Sequence, residues 1–510
     1  LAADAVGGSA DVGRRLRRGV PARMPTPLMS LETKMCSSSN DSLLPEEQVV
    51  PEPGMTVGSP RRAVLAGAVG NLIEFYDFAV YGVLAVTLAP LFFPSDQPGT
   101  SILSTLAVFG AAFVIKPVGG WFFGRLGDRK GRRRALVTTV VSMGVASGLM
   151  GLLPTSAAVG TLAPILLVLL RLIQGFSAGG ELAGSTTYIA ESAPPGKRGL
   201  FCSVSGLSAN LGYSVAAAVV GLTAAFIAPA QMASWGWRIP FLISFPLALV
   251  GLWARLRLGE TREFAAMVEQ NEIERSPLLK TLKEYRGTLV RLFCLYIGVN
   301  GVSFIGLTYL GIYMIGYRGF DKSTVYWLTA AAIALGCCMY PFAGMLVDRF
   351  GRKPMLIAGY GIFVIIAWPM FTLLNKTTSV LVAGIILFAY TVLIAVNLVP
   401  THVVGAELFP RRVRYTGMAT ANNLATVLAG GAAPYVAQGL VQLTGDTRAP
   451  AWWVICVSLI ALIAALTLRE TRPKPSTMAS DALATASTDP PVELTVANET
   501  SNPKLAWNRE

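Results

Sequence analysis

A chain of 510 residues that is 53% hydrophobic and 14% charged, with a formal net charge of +13, does not have the composition of a soluble globular protein. Its six cysteines, at 36, 202, 294, 337, 338 and 456, include no C-x-x-C pair, so neither a metal ribbon nor a disulfide framework is implied. A glycine loop closing on Lys and Ser or Thr, the cradle for a nucleotide phosphate, does not occur, and ATP-driven pumping has no support.

In chain order, residues 1–60 are rich in Gly, Ser, Pro and charge and read as a disordered tail, with Arg14, Arg15, Arg17 and Arg18 forming a basic patch. Residue 1 is Leu and no secretory signal follows it, so the expected translation start is Met24, Met29, Met35 or Met55. Apolar runs long enough to cross about 30 Å of hydrocarbon as helices then recur twelve times. Six lie in a first bundle, 61–258: spans at 63–93, 101–124, 134–153, 161–190, 200–228 and 239–258. A basic central loop, 259–287, separates them from a second bundle, 288–470, with spans at 288–316, 323–347, 355–374, 379–406, 416–443 and 451–468. Residues 471–510 read as a second disordered tail without sustained heptads.

Positive residues stay on the cytoplasmic side during insertion, and here they alternate by loop. The loops after spans 2, 8 and 10 hold Arg125, Arg129, Lys130 and Arg132 to Arg134, then Arg349, Arg352 and Lys353, then Arg411, Arg412 and Arg414. Those after spans 1 and 3, "PSDQPGT" and "PTSAAVG", hold none. Both termini are therefore expected in the cytoplasm of a multi-pass protein, with the basic surplus facing anionic lipid rather than nucleic acid.

Charge inside the spans is confined to the first half. Asn71, Glu74, Asp77 and Tyr81 share one face of span 1, and Arg171, Gln174, Glu181, Ser185 and Tyr188 share one face of span 4. Lys116 follows in span 2 beside Pro117. An ionised group near the midplane costs at least about 2.5–3.5 kcal/mol, so these side chains should meet each other or a hydrated cavity. With Glu74, Asp77 and Glu181 set against Lys116 and Arg171, one carboxylate lacks a cation and could carry a proton; Glu74 or Asp77 is the candidate. Permanent pairing that merely fixes helix packing is the alternative. The second half has only neutral candidates, Asn300, Ser303, Tyr309, Tyr313, Asn397, Asn422 and Asn423, which suit either a substrate or hydrogen bonds between helices. His402, the one histidine, is expected to be packed or at the lipid edge, with a proton relay as the alternative.

The chain is written twice. "GRLGDRKGRRRAL" at 124–136 returns as "GMLVDRFGRKPML" at 344–356, "AESAPPGKR" at 190–198 as "AELFPRRVR" at 406–414, and "ETR" at 260–262 as "ETR" at 470–472. Equivalent positions in two six-helix halves mark an internal duplication, with a binding site expected between the repeats. The loop pattern G-x-L-x-D-R-x-G-R resembles the signature of the major facilitator superfamily. Together, "GNLIEFYDFAVYG", "RLIQGFSAGGE", "ESAPPGKRG" and "RLRLGETREF" resemble the metabolite:proton symporters, bacterial carriers of oxoglutarate, citrate, shikimate and proline or betaine.

The resemblance implies an all-α membrane fold of twelve helices in two pseudo-symmetric halves, working by alternating access in a bacterial plasma membrane. It also implies a cytoplasmic gate built from Gly124, Asp128, Arg129, Gly131 and Arg132, their repeats Asp348, Arg349, Gly351 and Arg352, and Glu191, Arg198, Glu407 and Arg414, in which Arg132 pairs with Glu191. The expected function is proton symport of a small organic acid or zwitterion by a monomer, with the proton gradient in place of a cofactor and no metal. The alternatives are efflux of a drug-like compound and a non-transporting sensor on the same fold. An intramembrane aspartyl protease fails, because Arg125 and Leu126 stand where "GRLGD" would need Gly-x-Gly-Asp.

Overall fold

The computed structural model describes residues 60–130, 132–191, 193–194, 196–256 and 277–472. The two expected tails, apart from residues 60, 471 and 472, and most of the central loop lie outside them. The described residues form helices joined by short loops, with no strand among them. Nine are long and apolar enough to cross a membrane: Pro98–Phe123, Arg198–Phe226, Pro229–Ala254, Arg286–Gly316, Lys322–Phe350, Arg352–Lys376, Val380–Leu408, Arg412–Thr444 and Pro450–Thr467. They occupy the places of spans 2 and 5 to 12. A bent pair, Gly67–Val83 with Ala85–Phe92, stands for span 1, and two shorter apolar helices, Val137–Met150 and Leu162–Ser177, stand for spans 3 and 4.

Where the structure departs from twelve plain rods, the sequence carries the reason. Span 1 bends by 61° between its two helices. The bend comes just after Gly82, where an added Cβ would press on Thr308 of span 7, and within two turns of Pro90, which cannot donate to the preceding turn. Span 2 is interrupted at Ile115, one residue before Lys116 and two before Pro117. Span 4 ends at Ser177, passes through a tight turn over Ala178–Gly180 and resumes as Glu181–Glu191. The glycines there serve close approach: a Cβ on Gly119 would overlap the Phe176 carbonyl, and one on Gly175 the Ala112 carbonyl. Spans 2 and 4 thus touch backbone to backbone, as small residues permit in lipid. Spans 7 and 11 each contain a wider turn, Ile305–Tyr309 and Thr426–Gly431, a feature that recurs at functional sites. The described part of the central loop includes the helix Pro277–Glu284, set against the N-terminal part of span 11.

Large apolar side chains face outward, among them Ile365, Leu381 and Leu443, each more than 70% exposed, as a lipid-facing surface requires. Polar side chains turn inward: Asn71, Glu74, Asp77, Arg171 and Gln174 are all fully buried. Span 5 joins the halves by packing on span 1 and on span 8, and span 2 lies along span 11.

Candidate functional site

The centre of the first half is an electrostatic site in two unequal parts. In one, Lys116 Nζ donates to Glu74 Oε1 at 2.9 Å, with both side chains buried. The break before Lys116 lets the ammonium reach span 1, and the rings of Phe78 and Phe113 lie 5.2 and 5.8 Å from it. Glu74 Oε2 has no hydrogen-bond partner. This is a matched acid and base.

The other part is unmatched. Arg171 makes no ion pair among the described residues. Its Nη1 donates to Gln174 Oε1 at 2.5 Å and its Nη2 to the Phe109 carbonyl at 3.3 Å, while Nε has no acceptor. Its charge sits on the Tyr81 ring at 4.3 Å, with Phe109 and Phe78 at 5.3 and 5.4 Å. Asp77 accepts the Ser244 hydroxyl on Oδ1 at 2.6 Å, and its Oδ2 is without a hydrogen bond, with Ser147 beside the carboxyl. Gln174 Nε2 donates to that same Ser147 at 2.8 Å. Arg171 and Asp77 are therefore linked through two neutral side chains rather than paired.

Asn71, on the same face of span 1, belongs to a different network. It accepts from Ser185 at 2.8 Å and donates to Ser205 at 3.1 Å, which bonds Thr186 at 2.8 Å, so it ties span 1 to spans 4 and 5. The side chain of Glu181 lies outside the described ones. Ser147 and Ser244 had no signal in the sequence beyond being lone hydroxyls in apolar runs. Only their position opposite Asp77 singles them out.

In the second half the neutral candidates separate. Asn300 of span 7 donates to Asn422 at 3.2 Å and Thr426 at 3.1 Å, both on span 11. Tyr309 donates to Gln438 Oε1 at 3.5 Å, and Gln438 Nε2 donates to the Tyr317 hydroxyl at 2.8 Å. Tyr313 stands between Tyr309 and Tyr317 and edge-on to Phe371. Asn397 donates to the Leu393 carbonyl of its own helix at 3.0 Å and presses on Gly359 of span 9, a contact between neighbouring helices. His402 is buried, its ring 6.3 Å from that of Tyr296.

Across the seam, Phe304 of span 7 meets Phe109, Phe113 and Tyr213 edge to face at 5.2–6.4 Å between centroids. Asn423 of span 11 donates to the Gly179 carbonyl at 2.8 Å, a carbonyl made available by the break in span 4. Aromatic and polar contacts therefore close the seam around the charged centre.

At the end of the helices that carries the repeated basic loops, the two written copies interlock. Asp348 accepts from the amides of Gly199 and Leu200 at 2.8 and 3.0 Å, at the N-terminus of span 5, where a carboxylate suits the helix dipole. Arg414 pairs with Glu191 at 2.9 Å, and Arg198 lies 3.6 Å from Glu407, so each half lends the other an arginine. Arg352 grips Glu407 with two nitrogens, at 2.9 and 3.2 Å, and Thr471 donates to the same carboxylate. Gly351, at φ 98°, makes the turn into span 9, whose first amides, Arg352 and Lys353, donate to Glu470 at 3.0 Å each. Burial raises the Glu470 carboxyl, but the backbone donors of Arg352, Lys353 and Arg472, with the Arg352 charge behind them, bring it below the ordinary glutamate value. Arg349 is exposed beside Phe350. Gly124 lies on the described helix Lys116–Lys130, whereas Gly131 and the side chains of Asp128, Arg129 and Arg132 lie outside the described ones, and the expected Arg132 to Glu191 pair with them.

Cys202 is buried in this inner seam in a cluster with Tyr340, Val347 and Val403 of the other half. Glu407→Gln removes the charge that faces Arg198 across the seam and that holds Arg352 within the second half, which weakens the closed seam. In a background lacking the other cysteines, alkylation of Cys202 from the cytoplasmic side is expected to accelerate about tenfold or more, each tenfold being about 1.4 kcal/mol. An unchanged labelling rate would show that the pair does not hold the seam.

Comparison with known proteins gives consistent likenesses. The family model described as the Major Facilitator Superfamily matches residues 68–434 and, in an overlapping match, 319–499. A glycine betaine/proline/ectoine/pipecolic acid transporter of Dickeya dadantii is 35% identical over 434 residues, 82% of this chain and 85% of the relative. The alpha-ketoglutarate permease of Escherichia coli is 31% identical over 430 residues, 83% of this chain and 98% of the permease. Among solved structures, that of a D-xylose-proton symporter superimposes with a TM-score of 0.66 at 21% identity, covering 82% of this chain and all of the symporter. At that identity the likeness is one of fold.

Proposed function

We propose the cargo and the coupling of this chain from one premise: it belongs to the Major Facilitator Superfamily. It is a multi-pass membrane protein and a secondary transporter, with a small molecule and a proton as its partners. Its cargo, in our reading, is a small organic acid or a zwitterion with a carboxylate. That carboxylate is received by Arg171, and the co-transported proton by Asp77.

One observation carries this reading. Among the described side chains, the buried charges of the first half are paired at Lys116 and Glu74, whereas Arg171 and Asp77 make no ion pair. A buried guanidinium without an acid is a receptor for an anion, since its planar donors fit a carboxylate. A buried carboxyl without a cation is a receptor for a proton, because low dielectric favours its neutral form. The names of the relatives, which specify glycine betaine, proline and alpha-ketoglutarate, agree in having a carboxylate in common. Transport energy comes from the proton gradient, with no cofactor. The alternation of arginines by loop supports placement in a bacterial inner membrane with both termini in the cytoplasm, and the residues of the proposed site all come from one chain, as a working monomer requires.

The test is uptake into proteoliposomes of a panel of carboxylates, amino acids and betaines under an imposed inward proton gradient. At least one is expected to accumulate and to discharge when a protonophore is added. Accumulation that follows a sodium gradient and ignores the proton gradient would overturn the coupling assignment.

A further inference from the structure

We propose that Gln174 and Ser147 form a neutral relay through which an anion arriving at Arg171 sets the protonation of Asp77, so that cargo and proton load together. This rests on the reading of Arg171 and Asp77 just given, and names the side chains that would couple them.

The relay has a direction. A guanidinium can only donate, so Gln174 must turn its carbonyl oxygen towards Arg171 Nη1, which fixes its amide nitrogen towards Ser147. A serine oxygen that accepts from that nitrogen has its own hydrogen left to give, and the carboxyl beside it is Asp77. Ser244 supplies a second donor, to Oδ1. The two hydrogen bonds from Arg171 to Gln174 and from Gln174 to Ser147 therefore both point from the cation towards the acid, and the Ser147 hydroxyl beside Asp77 is the donor left to complete the line. In this arrangement the Ser147 and Ser244 hydroxyls both face the Asp77 carboxyl, and Arg171 has one spare donor, Nε. The other charged or titratable groups in range are Glu74, held by Lys116, and the phenols of Tyr76, Tyr81 and Tyr213.

A cargo carboxylate forms charge-assisted, bidentate bonds to a guanidinium, which outcompete the single bond from a neutral amide. Once Gln174 loses Nη1, nothing holds its nitrogen on Ser147, and the train of donors that ends at Asp77 relaxes. The carboxylate of Asp77 loses that support and gains a negative charge nearby. Both changes favour addition of a proton to Oδ2 from the side to which the site is open. Release of the cargo restores the Gln174 bond and expels the proton. Linkage makes the coupling reciprocal: the protonated carrier binds cargo more tightly by the same factor as the loaded carrier binds its proton.

The experiment measures the affinity of the purified full chain for glycine betaine, proline and alpha-ketoglutarate across pH, together with proton uptake on binding in weak buffer. For whichever of these binds, wild-type affinity is expected to fall by about 5–150-fold as pH rises through the titration of Asp77. Gln174→Leu and Ser147→Ala are each expected to flatten that dependence and abolish proton uptake, while Ser147→Thr, which keeps the hydroxyl, preserves both. Asp77→Asn separates the two proposals. If it too binds without pH dependence, but Gln174→Leu and Ser147→Ala keep the wild-type profile, the relay is overturned and the proton site stands. If Asp77→Asn keeps the wild-type profile, the proton site itself is wrong and the relay falls with it. Should Gln174→Leu fail to fold, the Ser147 pair decides the matter.

Discussion

Asp77→Asn is expected to exchange cargo across the membrane while failing to accumulate it. The substitution retains a polar side chain that can accept from Ser244, so the packing of spans 1 and 6 survives. What it removes is a buried acid of the centre that, among the described side chains, makes no ion pair. Without a group that takes up and gives up a proton, the inward and outward journeys of the loaded carrier become energetically equivalent, and the steady-state accumulation ratio falls to unity. Counterflow of labelled against unlabelled cargo, which needs no net proton movement, continues. The comparison to make is initial counterflow rate against gradient-driven accumulation in the same vesicles. Loss of both would mean that Asp77 is needed for binding or folding, and retention of both would remove it from the coupling step.

The second large effect lies at Lys116. Lys116→Met leaves Glu74 buried and unpaired, and breaking a buried pair from one side costs about 3–5 kcal/mol. The expected outcome is a sharply lower melting temperature and poor recovery from the membrane. Lys116→Met combined with Glu74→Gln removes both charges and is expected to regain most of that stability, since replacing both partners of such a pair is often neutral. Thermal unfolding of the purified single and double variants checks this. If the single variant is as stable as the wild type, the charges at this pair are hydrated and the division into a matched and an unmatched part fails. If the double variant also accumulates cargo on a proton gradient, Glu74 is excluded as the proton carrier.

Much of this architecture is legible in the sequence. Hydrophobic length placed all twelve spans, and the paired sequences at 124–136 and 344–356 exposed the duplication, because both signals are written in consecutive residues. Helical periodicity also put Glu74 and Asp77 on one face of span 1 and gathered the buried charges of the first half. It could not say which neighbour each would meet. Asn71, one turn before Glu74, went to spans 4 and 5, and Arg171 found an amide and an aromatic ring where an acid was expected. Partners are set by how helices rotate against each other, which a single strand of sequence does not encode locally. The same limit hid Ser147 and Ser244: a hydroxyl in an apolar run ordinarily bonds its own helix backbone, and nothing in the run distinguishes the exceptions. The breaks in spans 1, 2 and 4 and the turns in spans 7 and 11 all lie at or near proline or glycine, yet the sequence reading attaches no break to any of them. In span 4 the decisive factor was close approach to span 2, a tertiary fact.

The crossed pairs at the repeated basic loops bear on ancestry. Arg414 with Glu191 and Arg198 with Glu407 occupy matching places in the two copies of one motif, so residue i of the first copy serves residue j of the second, and the converse holds. That reciprocity defines an isologous contact, the self-complementary surface of a two-fold dimer. A single unduplicated repeat meeting its twin would make both bonds from one arginine and one glutamate. Fusion freed the two bonds to diverge, and the divergence is visible: Arg414 sits at 2.9 Å from its acid, Arg198 at 3.6 Å from its own. A lock that began with two equal bolts now has a tight one and a loose one.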